Sequence, residues 1–462
     1  MSSDEHPIAA VATAVGPAAI AVIRVSGSGS VDLLSSRFSR PQALRAACGH
    51  TLHHGSILDE EHRIVDEVLA AVYRAPSSYT GEESAEIFCH GSVAGVRRVF
   101  SVLLAAGFAA AAPGEFTRRA FINGKLDLTR AEAVNEVVAA QTADAHAFAV
   151  DRLSGSVERA AGEVREDLVG IMAQLAIQLD YPEEETGPVA VDRARLRRAA
   201  AECRGLASTY ARGRLYQHGA LVAIAGRTNA GKSSLFNRLL RHDRSIVSET
   251  HGTTRDYVEA VIDVGGVPVR LVDTAGLRDS AEAIEQEGMR RSSSVIAAAD
   301  LVLYVVDAGE GESRDDLERL EETGRTTRTL CVLNKIDLAP AAVAGPAVAG
   351  SAAGRIRVSA LTGAGIDELC DAIVASLLEE AASRAGEPAA GSVIIDSERQ
   401  RDLLLRAAEA ADRALESLSA SLPADIVAVD LQEALEAVGE ITGEVATAEI
   451  LDEMFRGFCV GK

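Results

Sequence analysis

The chain has 462 residues, 47% of them hydrophobic and 25% charged, which is an ordinary composition for a soluble protein of about three domains. The net charge is −22, from 46 basic and 68 acidic residues, and it argues against nonspecific binding along a nucleic-acid backbone. A local basic patch, or a basic partner that holds the nucleic acid, would still allow contact with one. The apolar runs are too short to cross a bilayer, and no secretory signal is visible. No membrane association is therefore expected.

The six cysteines lie far apart in the sequence, without a C-x-x-C pair. This spacing argues against a disulfide framework or a zinc module and indicates a reducing compartment. We therefore expect a cytoplasmic protein.

The first 120 or so residues alternate short β-branched runs with turn signals, which predicts mixed α/β structure. From Thr129 the pattern becomes helical: Thr129 and Glu132 form a capping-box pattern, and about fifty residues with few breakers follow, up to Asp180. Gly155 is expected to split this stretch into two helices. The segment Asp192–Arg214 is again predicted to be helical.

At Leu221 the pattern changes to short strands that alternate with helices, which is typical of a parallel α/β sheet. Two of the strands are expected to form a hairpin at Gly265-Gly266. This region ends near Glu380, and helices resume from Ser397 to Phe455 after a linker. We expect the helical zones before residue 215 and after residue 395 to pack together, with the α/β domain inserted between them.

A phosphate-binding motif follows the first of these strands. Residues Gly226–Ser234 match G-x-x-x-x-G-K-[ST] between a strand and a helix, so backbone N–H groups can cradle phosphates. Lys232 would reach the terminal phosphates, and Ser233 would offer its hydroxyl to Mg²⁺.

Three further motifs appear in the order found in GTPases. Asp273-Thr274-Ala275-Gly276 ends a strand, where Asp273 can hold the Mg²⁺ shell and the Gly276 N–H can sense a γ-phosphate. The carboxylate of Asp337, in the run Asn334–Asp337, can accept from the ring N–H and exocyclic amine of guanine. Ser359–Leu361 ends the last strand and can support base recognition. These motifs together predict a GTPase.

The segment Ser245–Asp256 is predicted to be a switch loop in which Thr254 completes the Mg²⁺ shell. Leu277 follows the DTAG motif where many small GTPases carry a glutamine that orients the attacking water. Hydrolysis therefore needs another group. Glu285 is a candidate, and an ordinary acid in the first turn of a helix is the alternative.

Lysine is scarce: the chain has only Lys125, Lys232, Lys335 and Lys462 among its 46 basic residues. A lysine in an arginine-rich chain suggests a site where a guanidinium does not fit. Lys125 lies outside the nucleotide-binding motifs, and its presence makes it a further candidate site residue.

The motif set resembles one family, the wobble-uridine tRNA-modification GTPases known as MnmE or TrmE. The resemblance covers essentially the whole chain and rests on TNAGKSSLFN, GTTRD, DTAGLR, RVSG, YTGEESAE, PGEFTRRAFINGKLDL and the terminal FCVGK. It implies an α/β plus α fold class: an N-terminal α/β folate-binding-like domain, a discontinuous helical domain and an inserted P-loop GTPase domain. The implied domain boundaries are 1–120, 121–216, 217–382 and 383–462.

The resemblance implies a GTP site, a Mg²⁺ site and a K⁺ site, the last replacing an arginine finger when two G domains pair. Ser233 and Thr254 would bind Mg²⁺, and Glu285 would organise the attacking water. The K⁺ ligands would be Asn229, Ser248, Thr250 and Thr253. The positions that match the family's GTP site are Asn229, Ala230, Gly231, Lys232, Ser233, Ser234, Ser248, Glu249, Thr250, His251, Gly252, Thr253, Thr254, Asp273, Thr274, Ala275, Gly276, Asn334, Lys335, Asp337, Ser359, Ala360 and Leu361. Thr228 and Ser248 depart from the family's usual proline and threonine.

In the N-terminal domain the resemblance implies a site for 5-formyl- or methylene-tetrahydrofolate at Arg24, Glu86 and Lys125, with Lys462 reaching into a neighbouring site. Without the family resemblance, a surface pair at a strand end is the preferred interpretation of Arg24 and Glu86. Cys459 would be a reactive thiol in the uridine chemistry, and a small buried hydrophobe under Phe455 and Phe458 is the alternative.

The implied function is GTP hydrolysis coupled, with a flavin-dependent MnmG-like partner, to formation of the 5-carboxymethylaminomethyl or aminomethyl group at wobble uridine 34 of certain tRNAs. The implied assemblies are a homodimer and a heterotetramer with that partner. The alternatives are a ribosome-assembly GTPase switch and a folate sensor without chemistry. Assembly GTPases usually carry a basic RNA-binding appendage, which this acidic chain does not show. The sequence leaves open which tRNAs are modified and whether glycine or ammonium supplies the nitrogen.

Overall fold

The computed structural model describes residues 6–180, 191–242, 259–273, 294–338, 355–385, 393–445, 451, 454–458 and 460–461. The chain divides into two compact units. The first comprises residues 1–135, 152–161 and 439–462, and the second comprises residues 136–151 and 162–438. The four domain boundaries given above stay predictions.

The first unit contains a six-stranded sheet in the order β3-β4-β5-β2-β1-β6, antiparallel except for the β1–β6 pair. The strands are β1 Ile8–Val11, β2 Ile20–Ser26, β3 Thr51–Leu58, β4 Ile64–Tyr73, β5 Ser84–His90 and β6 Ala109–Ala110, and the helices that accompany them are α1 Ser30–Ser35, α2 Pro41–Arg45, α3 Val93–Ala106 and α4 Glu115–Ile122. Aliphatic side chains of α1 and α3 pack against strand residues such as Ile23 and Ile87 in one buried core. The predicted α/β character of the N-terminal region is confirmed.

The helical stretch after this sheet contains three helices, α5 Leu128–Ala139, α6 Ala143–Leu153 and α7 Ser156–Asp180. The break at Gly155, whose φ is +86°, is confirmed. The prediction that Thr129 begins the helix with a capping box is wrong. Asp127 Oδ1 accepts from the N–H groups of Thr129 and Arg130 at 2.8 and 3.2 Å, so Asp127 caps α5. A further break comes at Thr142, whose hydroxyl accepts from the Ala145 N–H at 3.2 Å and starts α6.

The second unit brings the two distant helical zones together, as predicted. Its later helices are α8 Arg193–Ser208, α9 Tyr210–His218, α13 Glu398–Ser419 and α14 Ala424–Thr442. Helix α8 packs against α13, and Arg204 forms a salt bridge with Asp412 at 2.6 Å. The Thr209 hydroxyl accepts from the Ile395 N–H at 3.1 Å. These contacts join segments that are about 190 to 210 residues apart in sequence.

The inserted region of the second unit is a six-stranded sheet in the order β12-β11-β10-β7-β9-β8. All its pairs are parallel except the β8–β9 hairpin, which turns at Gly265 and Gly266 as predicted. Its elements are β7 Ala220–Gly226, α10 Lys232–His242, β8 Glu259–Val264, β9 Val267–Asp273, β10 Leu301–Asp307, α11 Arg314–Thr326, β11 Thr329–Asn334, β12 Arg355–Arg357 and α12 Ile366–Ala385. Strands β7 and β10 contribute side chains to two buried clusters. Because these strands are buried on both faces, they read as unbroken apolar runs.

Gly213 marks a close approach between α9 and the segment before α13. A Cβ at Gly213 would lie 2.1 Å from the Ile395 carbonyl oxygen. We therefore expect Gly213→Ala to destabilise the protein by about 1–3 kcal/mol, the usual cost of overpacking, although alanine is the better helix former.

The matched control is Gly205→Ala in α8, where a Cβ would meet nothing within 4 Å. That variant should gain about 0.5–1 kcal/mol. Urea unfolding of both variants measures the difference, and equal midpoints would contradict the close approach.

Candidate nucleotide and folate sites

Two glycines shape the loop between β7 and α10. Gly226 has a φ of +137°, and a Cβ there would lie 2.2 Å from the Val305 carbonyl oxygen. Gly231 has a φ of +90°, and a Cβ there would lie 2.3 Å from Asn334 Nδ2. Both positions therefore require glycine for conformation and for space. The loop also holds Asn229 in the left-handed region, with a φ of +67° and an exposed side chain.

Lys232 is buried within this loop. Its ammonium group donates to the carbonyl oxygens of Gly226 and Arg227 at 3.0 and 2.7 Å, and its side chain is 7% exposed. A positive charge therefore lies at the N-terminus of α10, where loop and helix N–H groups favour anions. This is the arrangement that binds the phosphates of a nucleotide.

Ser233 and Asp273 come together beside the lysine. The Ser233 hydroxyl donates to Asp273 Oδ2 at 2.8 Å, and Asp273 is buried at the end of β9. A hydroxyl and a carboxylate are hard oxygen ligands of the kind that Mg²⁺ prefers. These residues fit the metal that the sequence predicts, with Ser233 as ligand and Asp273 beside it.

Asn334 joins the phosphate loop to the base-recognition loop. Its amide donates to the Ala230 carbonyl oxygen at 3.0 Å and accepts from the Ala360 N–H at 3.0 Å, and its side chain is 1% exposed. Asp337 accepts a hydrogen bond from the Ser359 hydroxyl. The two predicted base-recognition motifs therefore meet at one place.

A cavity of about 410 Å³ lies at this meeting point. It is lined by Gly231, Ser234, Asn237, Arg238, Arg241, Asn334, Lys335, Asp337, Leu338, Ala360 and Leu361. Seven of these are predicted GTP-site residues. The other four lining residues were missed. Asn237 ends the TNAGKSSLFN motif but was given no role, and no motif contains Arg238, Arg241 or Leu338. The i+3 and i+4 spacing of the three α10 residues, which places them on one helix face, could have indicated Arg238 and Arg241.

Lys335 is held by a carboxylate from the neighbouring strand. Its ammonium group lies 2.7 Å from Asp307 Oδ2. Burial of Asp307 acts to raise its pKa, but the hydrogen bonds from Lys335 and from the Gly309 N–H outweigh it, so the pKa of Asp307 is lowered. Asp307 therefore stays ionised and fixes the lysine at the cavity wall.

Part of the predicted site lies outside the described residues. These positions are Ser248, Glu249, Thr250, His251, Gly252, Thr253, Thr254, Thr274, Ala275, Gly276, Glu285, Cys459 and Lys462. Their roles stay predictions.

The first unit has a second pocket, of about 200 Å³, on its sheet. Arg24 and Glu86 are cross-strand partners, and the guanidinium donates to Glu86 Oε1 at 3.0 and 2.8 Å. The Arg24 guanidinium also lies 5.4 Å from the ring centroid of Tyr79 and 5.8 Å from that of Phe116. The lining residues are Arg24, Ser26, Tyr73, Tyr79, Thr80, Ser84, Glu86 and Phe116.

Lys125 is not among the lining residues of this pocket. Its ammonium group donates to the Pro76 carbonyl oxygen at 3.1 Å, beside the loop that carries Tyr79 and Thr80. Arg24 Nη1 also donates to the carbonyl oxygen of Gly461 at 3.3 Å. The structure thus brings Arg24 and Glu86 together and leaves Lys125 on the neighbouring loop.

Comparisons with known proteins identify the family to which the chain is similar. Residues 7–125 match the model of the GTP-binding protein TrmE N-terminus, and residues 128–459 match that of the MnmE helical domain. The tRNA modification GTPase MnmE of Treponema denticola is 41% identical, over 99% of this chain and 98% of its own. The protein of the same name from Moorella thermoacetica is 42% identical, over 99% and 100%. The solved G domain of the T. maritima FeoB iron transporter is 27% identical over 34% of this chain and 98% of its own, with a TM-score of 0.27.

No helix in the described part of the chain is long and apolar enough to span a membrane. The two family models together account for nearly the whole sequence, and both curated relatives match 99% of this chain. The phosphate loop, the Ser233–Asp273 pair and the Asn334 bridge are parts of a nucleotide-binding site. The chain therefore belongs to the MnmE (TrmE) family of tRNA modification GTPases and is a GTPase.

Proposed function

We propose that this GTPase acts, with a flavin-dependent MnmG-like partner, to form the 5-carboxymethylaminomethyl or aminomethyl group at wobble uridine 34 of certain tRNAs, with a tetrahydrofolate as one-carbon donor. Family membership and full-length similarity support the tRNA-modifying part of the proposal. The observation that carries the GTPase part is the buried Asn334 bridge between the phosphate loop and the base-recognition loop. The free buried thiols Cys89, Cys203 and Cys331 suit a reducing compartment such as the cytoplasm.

In the proposed GTP site, Lys232 binds the terminal phosphates, and Asp337 accepts from the guanine ring. Ser233 would hold Mg²⁺ together with Thr254, and Asn229 would contribute to a K⁺ site with Ser248, Thr250 and Thr253. The left-handed conformation and exposure of Asn229 leave its amide oxygen accessible to a cation. Bound Mg²⁺ and K⁺ would supply positive charge that stabilises the charge developing on the phosphates.

The K⁺ assignment is tested by the rate of GTP turnover in K⁺ and in Na⁺ at matched ionic strength. We expect turnover to be several-fold or more faster in K⁺, because the oxygens proposed as ligands suit the larger cation. Asn229→Ala should remove most of this difference, whereas Thr228→Ala, in the adjacent exposed position of the same loop, should keep it. Equal rates of the wild-type protein in the two salts would contradict the K⁺ site.

The folate part of the proposal places the pterin against Arg24 and Glu86. A paired guanidinium and carboxylate between aromatic walls offers donors and acceptors to the edge of a flat heterocycle. The ammonium group of Lys125, on the adjacent loop, would neutralise a carboxylate of the folate tail, and Lys462 would do so in a neighbouring site. Cys459 would serve as the reactive thiol of the uridine chemistry. The proposed assemblies are a homodimer and a heterotetramer with the partner.

We expect Lys125→Ala to weaken binding of 5-formyl-tetrahydrofolate by about 10- to 100-fold, the range for one charge-assisted hydrogen bond. GTP turnover should stay within about twofold, since Lys125 lies in the other compact unit. Isothermal titration decides the matter, and wild-type affinity in the variant would remove Lys125 from the site.

A further inference from the structure

Helix α10 carries an arginine that no nucleotide-binding motif includes. Arg238 lies six residues after Lys232, is half-buried, and lines the 410 Å³ cavity. Its Nε donates to the Ala360 carbonyl oxygen at 2.8 Å, and its Nη2 donates to the carbonyl oxygen of the next residue, Leu361. One guanidinium therefore binds two consecutive peptide groups of the loop between β12 and α12.

We propose that Arg238 is a positioning residue of the guanine site, which sets how tightly the nucleotide is retained by fixing the backbone of residues 360–361. The inference rests on the proposed placement of guanine in this cavity. Arg238 acts through the loop, and the base-reading groups themselves remain Asp337 and the residues of the loop.

The other contacts of the loop explain why this clamp, the pair of hydrogen bonds from Arg238 to the carbonyl oxygens of Ala360 and Leu361, matters. Asn334 accepts from the Ala360 N–H, and Ser359 contacts Asp337 through its hydroxyl. The Ser359 hydroxyl also accepts from the Thr362 N–H at 3.1 Å. None of these bonds binds the carbonyl oxygens of Ala360 and Leu361. The peptide groups on either side of Leu361 are held by Arg238, and the Leu361 side chain, which lines the cavity, is 77% exposed and so has little packing to hold it in place.

The geometry favours arginine over any other cation. Two carbonyl oxygens of adjacent residues match the two nearly parallel N–H groups on one edge of a planar guanidinium, whereas an ammonium group is a point charge that cannot reproduce this fork. The half-buried position also strengthens these bonds relative to the same bonds in water. Loss of the side chain would leave both carbonyl oxygens without the guanidinium, and the Thr362 N–H bond to Ser359 would then have to hold the second peptide group alone.

The same helix supplies a matched control. Arg241 lies three residues further along α10, has the same charge and lines the same cavity, but it is exposed. If the positive charge alone matters, Arg238→Ala and Arg241→Ala should weaken nucleotide binding equally. If the two hydrogen bonds of Arg238 matter, Arg238→Ala should weaken nucleotide binding more than Arg241→Ala does.

The experiment measures dissociation of fluorescent GDP from the full-length protein by stopped flow, together with steady-state GTP turnover. Arg238→Ala should release GDP about 10- to 100-fold faster, the range for losing hydrogen bonds from a charged donor, and should raise KM for GTP while kcat stays within about twofold. Arg238→Lys should be intermediate, because an ammonium group can still bind one carbonyl. Arg241→Ala should accelerate GDP release by less than Arg238→Ala does.

Unchanged GDP release in Arg238→Ala, or equal acceleration in both alanine variants, would overturn the inference. A fall in kcat equal to the rise in KM would do the same, since it indicates general disruption of the domain. If Arg238→Ala does not fold, Arg238→Lys decides the question. GDP release faster than in the wild type supports the inference, and a wild-type rate overturns it. The Asp337→Asn variant separates failure of the Arg238 inference from failure of the proposed guanine site. If Asp337→Asn leaves the base preference unchanged, the guanine site itself is misplaced. If Asp337→Asn changes the base preference while Arg238→Ala leaves GDP release unchanged, only the role of Arg238 is refuted.

Discussion

Asp337→Asn is expected to change the preferred nucleotide from GTP to xanthosine triphosphate. The Asp337 carboxylate can accept from both the ring N–H and the exocyclic amine of guanine, and Asn would replace one acceptor by a donor. Xanthine carries a carbonyl oxygen in place of that amine, so the new donor finds an acceptor. Affinity for GTP should fall by about 100-fold or more, because sites built on hydrogen bonds reject analogues that leave their polar groups unpaired.

The position of Asp337 makes this substitution specific. Asp337 lines the cavity and contacts Ser359, and Asn can still accept from that hydroxyl. Competition binding with GTP, xanthosine triphosphate and ATP measures the change. Asp307→Asn is the matched control, because Asp307 holds Lys335 at the same cavity without lining it. That variant should weaken GTP and xanthosine triphosphate by the same factor, and unchanged guanine preference in Asp337→Asn would show that the base site is wrongly placed.

The parts of the nucleotide site that sequence predicts are those fixed by local rules. The glycines at 226 and 231 are recognisable because the loop needs their positive φ values and their missing Cβ atoms. The strands β7 and β10 are recognisable because a strand buried on both faces reads as an unbroken apolar run. The hairpin at Gly265-Gly266 is recognisable because two glycines supply the positive φ values that a tight turn between strands requires.

The parts that sequence misses depend on the partner of a residue far along the chain. Arg238 looks like any arginine on an amphipathic helix until the loop 122 residues later meets it. Gly213 looks like a weak point in a helix until Ile395 packs against it.

The wrong cap of α5 has a local cause. Both Asp127 and Thr129 are good N-cap residues, and the Asp127 carboxylate, which accepts from two N–H groups, outcompetes the hydroxyl.

The described carboxylates of the nucleotide site already have partners. Asp273 accepts from Ser233, Asp307 from Lys335, and Asp337 from Ser359. Each of these contacts orients a binding group, so none of the three is a good candidate to activate water. Leu277 follows the DTAG motif and has no polar atom in its side chain. The water-organising group of this GTPase must therefore come from elsewhere, and Glu285, which lies outside the described residues, is the proposed one.

Glu285→Ala is accordingly expected to lower kcat for GTP hydrolysis by about 10²- to 10⁴-fold, the range for loss of a general base or its equivalent. The dissociation constant of GTP should stay within about twofold, because Lys232, Asn334 and Asp337 bind the ground state without it. Glu282→Ala and Glu287→Ala are the matched controls, since they remove the same charge from the same short segment, and both should turn over GTP at nearly the wild-type rate. Single-turnover hydrolysis with bound GTP separates chemistry from binding. A loss of GTP affinity as large as the loss of rate would show instead that Glu285 supports the structure of the segment, because a residue that acts only on the attacking water stabilises the transition state and leaves the bound substrate unaffected.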